Sequence, residues 1–284
     1  MKKQKVFVIG GPTASGKSEL ALRLAEAVEG CVVNGDAIQV YQDLSILSAR
    51  PGKKDLDRAP HYLYGEVDAW THFSVADWLQ RIKEVVPHLK NPVIVGGTGL
   101  YLNALVEGLN EIPQVDESVR QKVRAMPLEE VKSLVKECSF QDPQRMRRAL
   151  EVQLSSGQSL ASFYHQPKKK ILDADFQCIH LLPPRENLYQ NCEKRFYKML
   201  AEGALQEVEH LLKIKASGGV LKAIGVPEII SFLKGKLTQE EMIQQVILST
   251  RQYAKRQMTW FRHHGQPKYV LADISQLNIS DITK

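Results

Sequence analysis

The sequence is short of the features that mark several protein classes. It has only four cysteines in 284 residues. These are Cys31, Cys138, Cys178 and Cys192, with no C-x-x-C pair and no histidine at metal-ligand spacing. A disulfide scaffold and a zinc framework are therefore disfavoured, and a reduced, cytoplasmic chain is expected. No uninterrupted apolar run reaches the roughly eighteen residues of a membrane span. The apolar "VFVI" before the first glycines is too short for a signal peptide. Internal repeats and low-complexity tracts are missing as well. The charge imbalance is small, 38 Lys and Arg against 32 Asp and Glu, a formal net charge of +6. Such an excess is compatible with an RNA partner and does not identify one.

What is present is a regular alternation. "KVFVIGG", "CVVNGD" and "NPVIVGG" read as buried strands, and amphipathic helices such as "SELALRLAEAV" and "FSVADWLQRIKEVVPHL" fall between them. This rhythm predicts an α/β fold, a parallel sheet flanked by helices. Residues 1–113 form the first part of the core. Residues 114–172 are charged and helix-forming, and are expected to be a small all-helical insertion domain. Residues 173–284 return to the core through the strand "FQCIHLLPP", continue as helices and end in a peripheral tail from about 270. In open parallel sheets, ligands bind beyond the carboxyl ends of the strands. The turn after the first strand, Asp36 after the second and "GGTGLY" after the third all fall there.

The turn after the first strand is "GPTASGKS", Gly11, Pro12, Thr13, Ala14, Ser15, Gly16, Lys17 and Ser18, the G-x-x-x-x-G-K-S pattern of a P-loop. Its backbone amides and the following helix N-terminus suit a diphosphate, with Lys17 on terminal oxygens and the Ser18 hydroxyl on Mg2+. The pattern specifies a diphosphate and not the rest of the ligand. ATPases and GTPases with this loop usually carry a second magnesium carboxylate at a strand end. Here "NPVIVGG" ends in glycines and Thr98, and the nearest strand-end acid is Asp36. A motor or switch ATPase is disfavoured, while a small-molecule or nucleoside kinase stays open as an alternative.

Five segments in order resemble the tRNA dimethylallyltransferase (tRNA isopentenyltransferase) family in its bacterial form. They are "GPTASGKS", "DAIQVY", "VGGTGLYL", "QDPQRMRRALEV" and "TRQYAKRQMTWFR", spread over nearly the whole chain. The first is generic, whereas the order and spacing of all five are specific. The resemblance implies transfer of a dimethylallyl group from dimethylallyl diphosphate to the N6 amine of the adenosine immediately 3′ of the anticodon in certain tRNAs. The P-loop would hold the donor diphosphate, and Thr98 would lie beside the reacting centre. Asp36, Ala37, Ile38, Gln39 and Thr98 would contact the target nucleoside and its neighbours. Gln141, Asp142, Pro143, Gln144, Arg145 and Arg120 would contact tRNA from the insertion. The expected partners are thus a tRNA anticodon stem-loop and the prenyl donor, with no membrane and the chain acting as a monomer.

Chemistry supports these residue types. An adenine amine is a weak nucleophile whose protons become acidic as the new bond forms, so a carboxylate such as Asp36 can take one. The departing diphosphate gathers negative charge that the loop, Lys17 and Mg2+ can stabilise. Direct displacement and a cation-like state both remain open. In the last segment, Arg251, Lys255 and Arg262 fall on one helical face, suited to tRNA phosphates, with Val246, Tyr253 and Trp260 nearly opposite and expected against the core. Several positions depart from the family pattern: Ala37 for serine, Leu47 for glycine, Gln141 for asparagine, and Val226 and Pro227 in the "GYKE" region. The insertion is also shorter than usual.

Overall fold

The structure, a computed structural model, describes residues 3–135, 141–277 and 282; Cys138 lies outside them. Strand β1 (Gln4–Gly10) is buried along most of its length, as a parallel strand covered on both faces must be. The other strands are β2 (Cys31–Asn34), β3 (His61–Tyr62), β4 (Pro92–Gly96), β5 (Ala174–Leu181) and β6 (Tyr269–Leu271). Among the described residues they form one six-stranded sheet in the order β3-β2-β4-β1-β5-β6. Every pairing is parallel. Gly10 lies opposite Gly96, and Asn34 opposite Val95, so three loops leave the same edge side by side. The two strands not predicted, β3 and β6, are edge strands of two and three residues, too short to show a period-2 pattern.

Helix α1 (Lys17–Ala27) buries Leu20, Ala21 and Leu24 in the cluster that includes Phe7, Ile9 and Val93 of the sheet. After α2 (Lys53–Leu56), α3 (Val75–Val85) starts on a capping box of Ser74 and Asp77. Its Trp78 indole donates to the Asn34 carbonyl at 2.8 Å. Helix α4 (Gly99–Glu107) follows β4 directly. No helix among the described residues is long and apolar enough to cross a membrane.

The chain divides into two compact units, residues 1–106 with 172–284, and residues 107–171. The second begins at Glu107, earlier than position 114, because Leu109 and Lys169 exchange backbone hydrogen bonds and tie both ends of the neck together. Its described helices are α5 (Glu117–Ala125), α6 (Leu128–Leu134), α7 (Pro143–Ser156) and α8 (Leu160–Tyr164). Val123, Val131, Met146 and Leu150 form a core between three of them. The Arg147 guanidinium donates to the carbonyls of Val123 and Met126, satisfying acceptors that the end of α5 leaves open.

The first unit resumes with α9 (Arg185–Ala201), α10 (Ala204–Lys213), α11 (Val226–Leu233) and α12 (Gln239–His263). Helix α12 crosses the glycine ends of the strands. The Phe261 ring occupies the space a side chain on Gly10 would need, and Trp260 does the same at Gly99. The tail is not peripheral, contrary to expectation. Leu271, Leu277 and Ile282 join the core cluster beneath the sheet, and Ile274 packs at Gly16. Isolated apolar residues among polar ones hid this, since the open edge of β5 supplies the order that local sequence does not. Leu271→Ala should therefore lower stability by about 2–5 kcal/mol in urea unfolding, where a peripheral residue would give almost no change.

Candidate active site

The cradle is built by the end of β1 and the start of α1. Gly16 precedes α1 with φ 91°, a left-handed conformation that glycine adopts without strain. The Lys17 ammonium donates to the Pro12 carbonyl at 3.3 Å. Burial lowers the Lys17 pKa from 10.5 to about 8, with the Asp36 charge opposing and the Arg195 charge adding to the effect. The Ser15 hydroxyl is buried without a hydrogen-bond partner among the described residues, a polar atom held ready inside the loop. Ser18 is exposed in the first turn of α1 and, like Thr13 and Lys17, lines the neighbouring cleft. Gly11, Pro12 and Ala14 shape the loop from behind, Ala14 packing with Leu188 and Met258.

Asp36 is held by a buried asparagine. The Asn34 amide donates to the carbonyls of Asp36 and Leu63, both at 3.0 Å, while its oxygen accepts the Asp36 N–H at 2.8 Å. One Asp36 carboxylate oxygen accepts the Ile38 N–H at 2.9 Å; the other is turned toward Gly97. The Thr98 hydroxyl accepts the Ala37 N–H at 3.1 Å, joining the β2 and β4 loops. Gln39 is fixed in turn by its amide, which donates to the Ser48 and Ala49 carbonyls at 2.9 Å each. Residues 36–39 and Thr98 line the same cleft as the cradle.

That cleft holds about 400 Å³, within the range of small-molecule sites. Thr13, Lys17, Ser18 and Arg195 make one part of its wall polar; Leu47, Phe196, Met199, Ile224 and Val246 supply apolar surface. The Arg195 guanidinium donates to the Thr13 hydroxyl. Burial lowers its pKa, but a guanidinium remains charged at working pH. Arg195 was not among the sequence candidates. Its signal was an arginine set within the α9 stripe of Cys192, Phe196 and Met199, spaced i, i+3, i+4 and i+7 like a core face.

Helix α12 corrects the predicted faces. Tyr253 lines the cleft, and burial raises its phenol pKa. Arg256 and Gln257 line the cleft too. Arg251 is half-buried and paired with Glu193 of α9 at 2.7 Å, because α9 packs along that side. Lys255 and Arg262 are exposed as expected. In the insertion, Arg120 lies 3.7 Å from Glu117 on α5. Asp142 caps α7 by accepting the Arg145 N–H at 2.8 Å, with Pro143 as the first helical residue. Gln141 and Gln144 are exposed beside it.

A P-loop set beside a carboxylate, with apolar surface completing the cleft, is an arrangement suited to an α/β enzyme acting on a phosphorylated substrate. Sequence and structure comparisons narrow that class. The family profile described as IPP transferase matches residues 39–264. A tRNA dimethylallyltransferase of Rhizobium etli is 43% identical over 92% of this chain and 94% of its own length. One from Rickettsia felis is 38% identical over 99% and 97%. The full-length tRNA isopentenylpyrophosphate transferase structure from Bacillus halodurans aligns with a TM-score of 0.71 at 28% identity, covering 98% of this chain and 93% of that one. A eukaryotic dimethylallyltransferase acting on tRNA aligns with a TM-score of 0.80 at 27% identity, covering 96% and 75%. The chain belongs to the tRNA dimethylallyltransferase family.

The lowered pKa of Lys17 has a measurable consequence. Below about pH 8 the free protein presents an ammonium to an anion; above it, binding must first restore the proton. The affinity for inorganic diphosphate should weaken by up to about tenfold per pH unit above pH 8, and Lys17→Arg should lose this component. Calorimetric titrations of both proteins at pH 7, 8 and 9 measure the difference.

Proposed function

We propose that the chain transfers a dimethylallyl group from dimethylallyl diphosphate to N6 of the adenosine immediately 3′ of the anticodon, forming N6-isopentenyladenosine and releasing diphosphate. The observation carrying this reading is the make-up of one cleft, with cationic groups at the cradle, apolar residues in the walls and Asp36 beside Thr98. The diphosphate lies in the loop, and the dimethylallyl chain lies against the apolar residues. The allylic carbon–oxygen bond breaks with its electron pair leaving on diphosphate, and the N6–carbon bond forms. The N6 proton passes to Asp36. The loop, Lys17 and Arg195 stabilise the charge growing on the leaving group, an electrostatic effect strongest where water is excluded. Thr98, fixed on Ala37, borders the amine.

Mg2+ fits this donor set. Among the described residues no group of three or more His, Cys, Asp or Glu could hold a metal, but Mg2+ commonly uses few protein ligands together with substrate phosphates. Ser18, exposed in the first turn of α1, would be its protein ligand. Bound there, it would supply further charge stabilisation to the leaving diphosphate.

An anticodon-loop base is open enough to be splayed into a pocket. The insertion residues Arg120 and Gln141 to Arg145 are suited to contact tRNA, and so, separately, are Lys255 and Arg262 on α12, chiefly through phosphates. Arg251, held by Glu193, contributes to the α9–α12 packing. A tRNA substrate makes the cytoplasm the working compartment. The kinase alternative is not favoured, since the matched relatives are named for prenyl transfer.

Mass analysis of nucleosides from tRNA incubated with protein, donor and Mg2+ tests the reading; unmodified adenosine throughout would overturn it. Asp36→Asn should lower kcat by about 10²–10⁴-fold in a single-turnover assay while donor binding persists. Lys255→Ala should reduce the slope of log affinity against log salt by about 0.7–0.9, the share of one phosphate contact, and leave discrimination among tRNAs unchanged.

A further inference from the structure

Gln257 sits on the buried face of α12 and is 6% exposed. Its carboxamide makes two bonds of opposite sense. The oxygen accepts the Thr13 N–H at 2.8 Å, and the nitrogen donates to the Gly97 carbonyl at 2.8 Å. A backbone N–H can only donate and a carbonyl can only accept, so this amide orientation is the one that satisfies both. Room for it comes from Gly97, where a side chain would collide with the amide nitrogen.

The two bonds join the halves of the cleft. Thr13 belongs to the cradle, and its hydroxyl holds Arg195. Gly97 precedes Thr98, which holds Ala37 beside Asp36. A single side chain thus connects the groups that receive the leaving diphosphate to the groups that receive the amine.

We infer that Gln257 is a positioning residue that sets the spacing between the donor cradle and the Asp36–Thr98 pair. It touches neither reacting atom and acts through the two loops it spans. Near-attack geometry is sensitive to such spacing, and a misplacement of about 1 Å can cost about 10²-fold in rate. The inference rests on the prenyl-transfer reading above.

Two variants test it. Gln257→Met keeps the length and removes both bonds. Gln257→Glu keeps the acceptor for Thr13 N–H and, when ionised, lacks the donor for Gly97. Both should lower single-turnover kcat by about 10²-fold, while in Gln257→Met, which adds no charge, the Kd for inorganic diphosphate and the KM for tRNA stay within about threefold of wild type. A kcat within about threefold of wild type in a folded variant overturns the inference. So does a parallel loss of kcat and diphosphate affinity in Gln257→Met, which would make Gln257 part of the cradle itself. Loss of cooperative melting in both variants also overturns it, since the amide would then hold the core and not the spacing. An inactive wild type would instead defeat the prenyl-transfer reading, so the two failures are distinguishable.

Discussion

The closeness of α12 to strand ends that carry no side chains is the constraint on which the cleft depends. Gln257, Trp260 and Phe261 lie at i, i+3 and i+4 on one helical face, and they meet Gly97, Gly99 and Gly10 respectively. Side chains there would lift the helix away from the sheet edge. Tyr253 and Arg256, on the same helix, would leave the cleft with it. Glycine at these points is thus a packing requirement as much as a requirement of phosphate binding. The helix in turn spans the loops from β1 and β4 through Gln257, adding to the ties that Arg195 makes to Thr13 and Ala37 to Thr98.

Side-chain amides recur as the means of fixing loops. Asn34 satisfies three backbone groups around Asp36 and Leu63, and Gln39 binds two carbonyls of the 48–49 turn. Each amide supplies donors and an acceptor, so it can satisfy neighbouring backbone groups of either kind without adding charge. Charge is kept for the chemistry. Burial pulls Lys17 down toward about 8 while Asp36 pushes back, so the cradle and the carboxylate influence each other across the cleft.

Much of the fold was legible in the sequence, and the reasons are local. The four longer strands and the turn "GPTASGKS" carry their own patterns, and register then brings Asp36, Thr98 and the cradle to one edge. What was not legible depends on tertiary neighbours. Strand β6 has three residues and no pattern of its own; β5 orders it. Arg251 on a helical wheel looks available for RNA, but α9 places Glu193 against it. Tyr253 looked like a core residue because periodicity reports which face is covered and not whether protein or a cleft covers it. Arg195 and Gln257 were hidden in the same way, as polar residues on otherwise apolar helical faces.

The P-loop without a strand-end acid behind it makes sense once the bond that breaks is considered. In phosphoryl transfer, the nucleophile attacks phosphorus, so metal carboxylate and catalytic base both crowd around the terminal phosphate. In the reaction proposed here, the electrophile is a carbon outside the phosphates. The diphosphate only leaves, and cationic groups with amide donors suffice to receive it. The base is required one prenyl carbon further on, where the amine arrives. A parallel sheet provides such a position, because strands spaced about 4.8 Å apart end in loops that step sideways from the cradle. Strand β2 lies two places from β1, with β4 between them. An acid on the β2 loop therefore belongs to the acceptor side, and the intervening β4 loop, carrying Gly97 and Thr98, forms the junction where donor and acceptor meet.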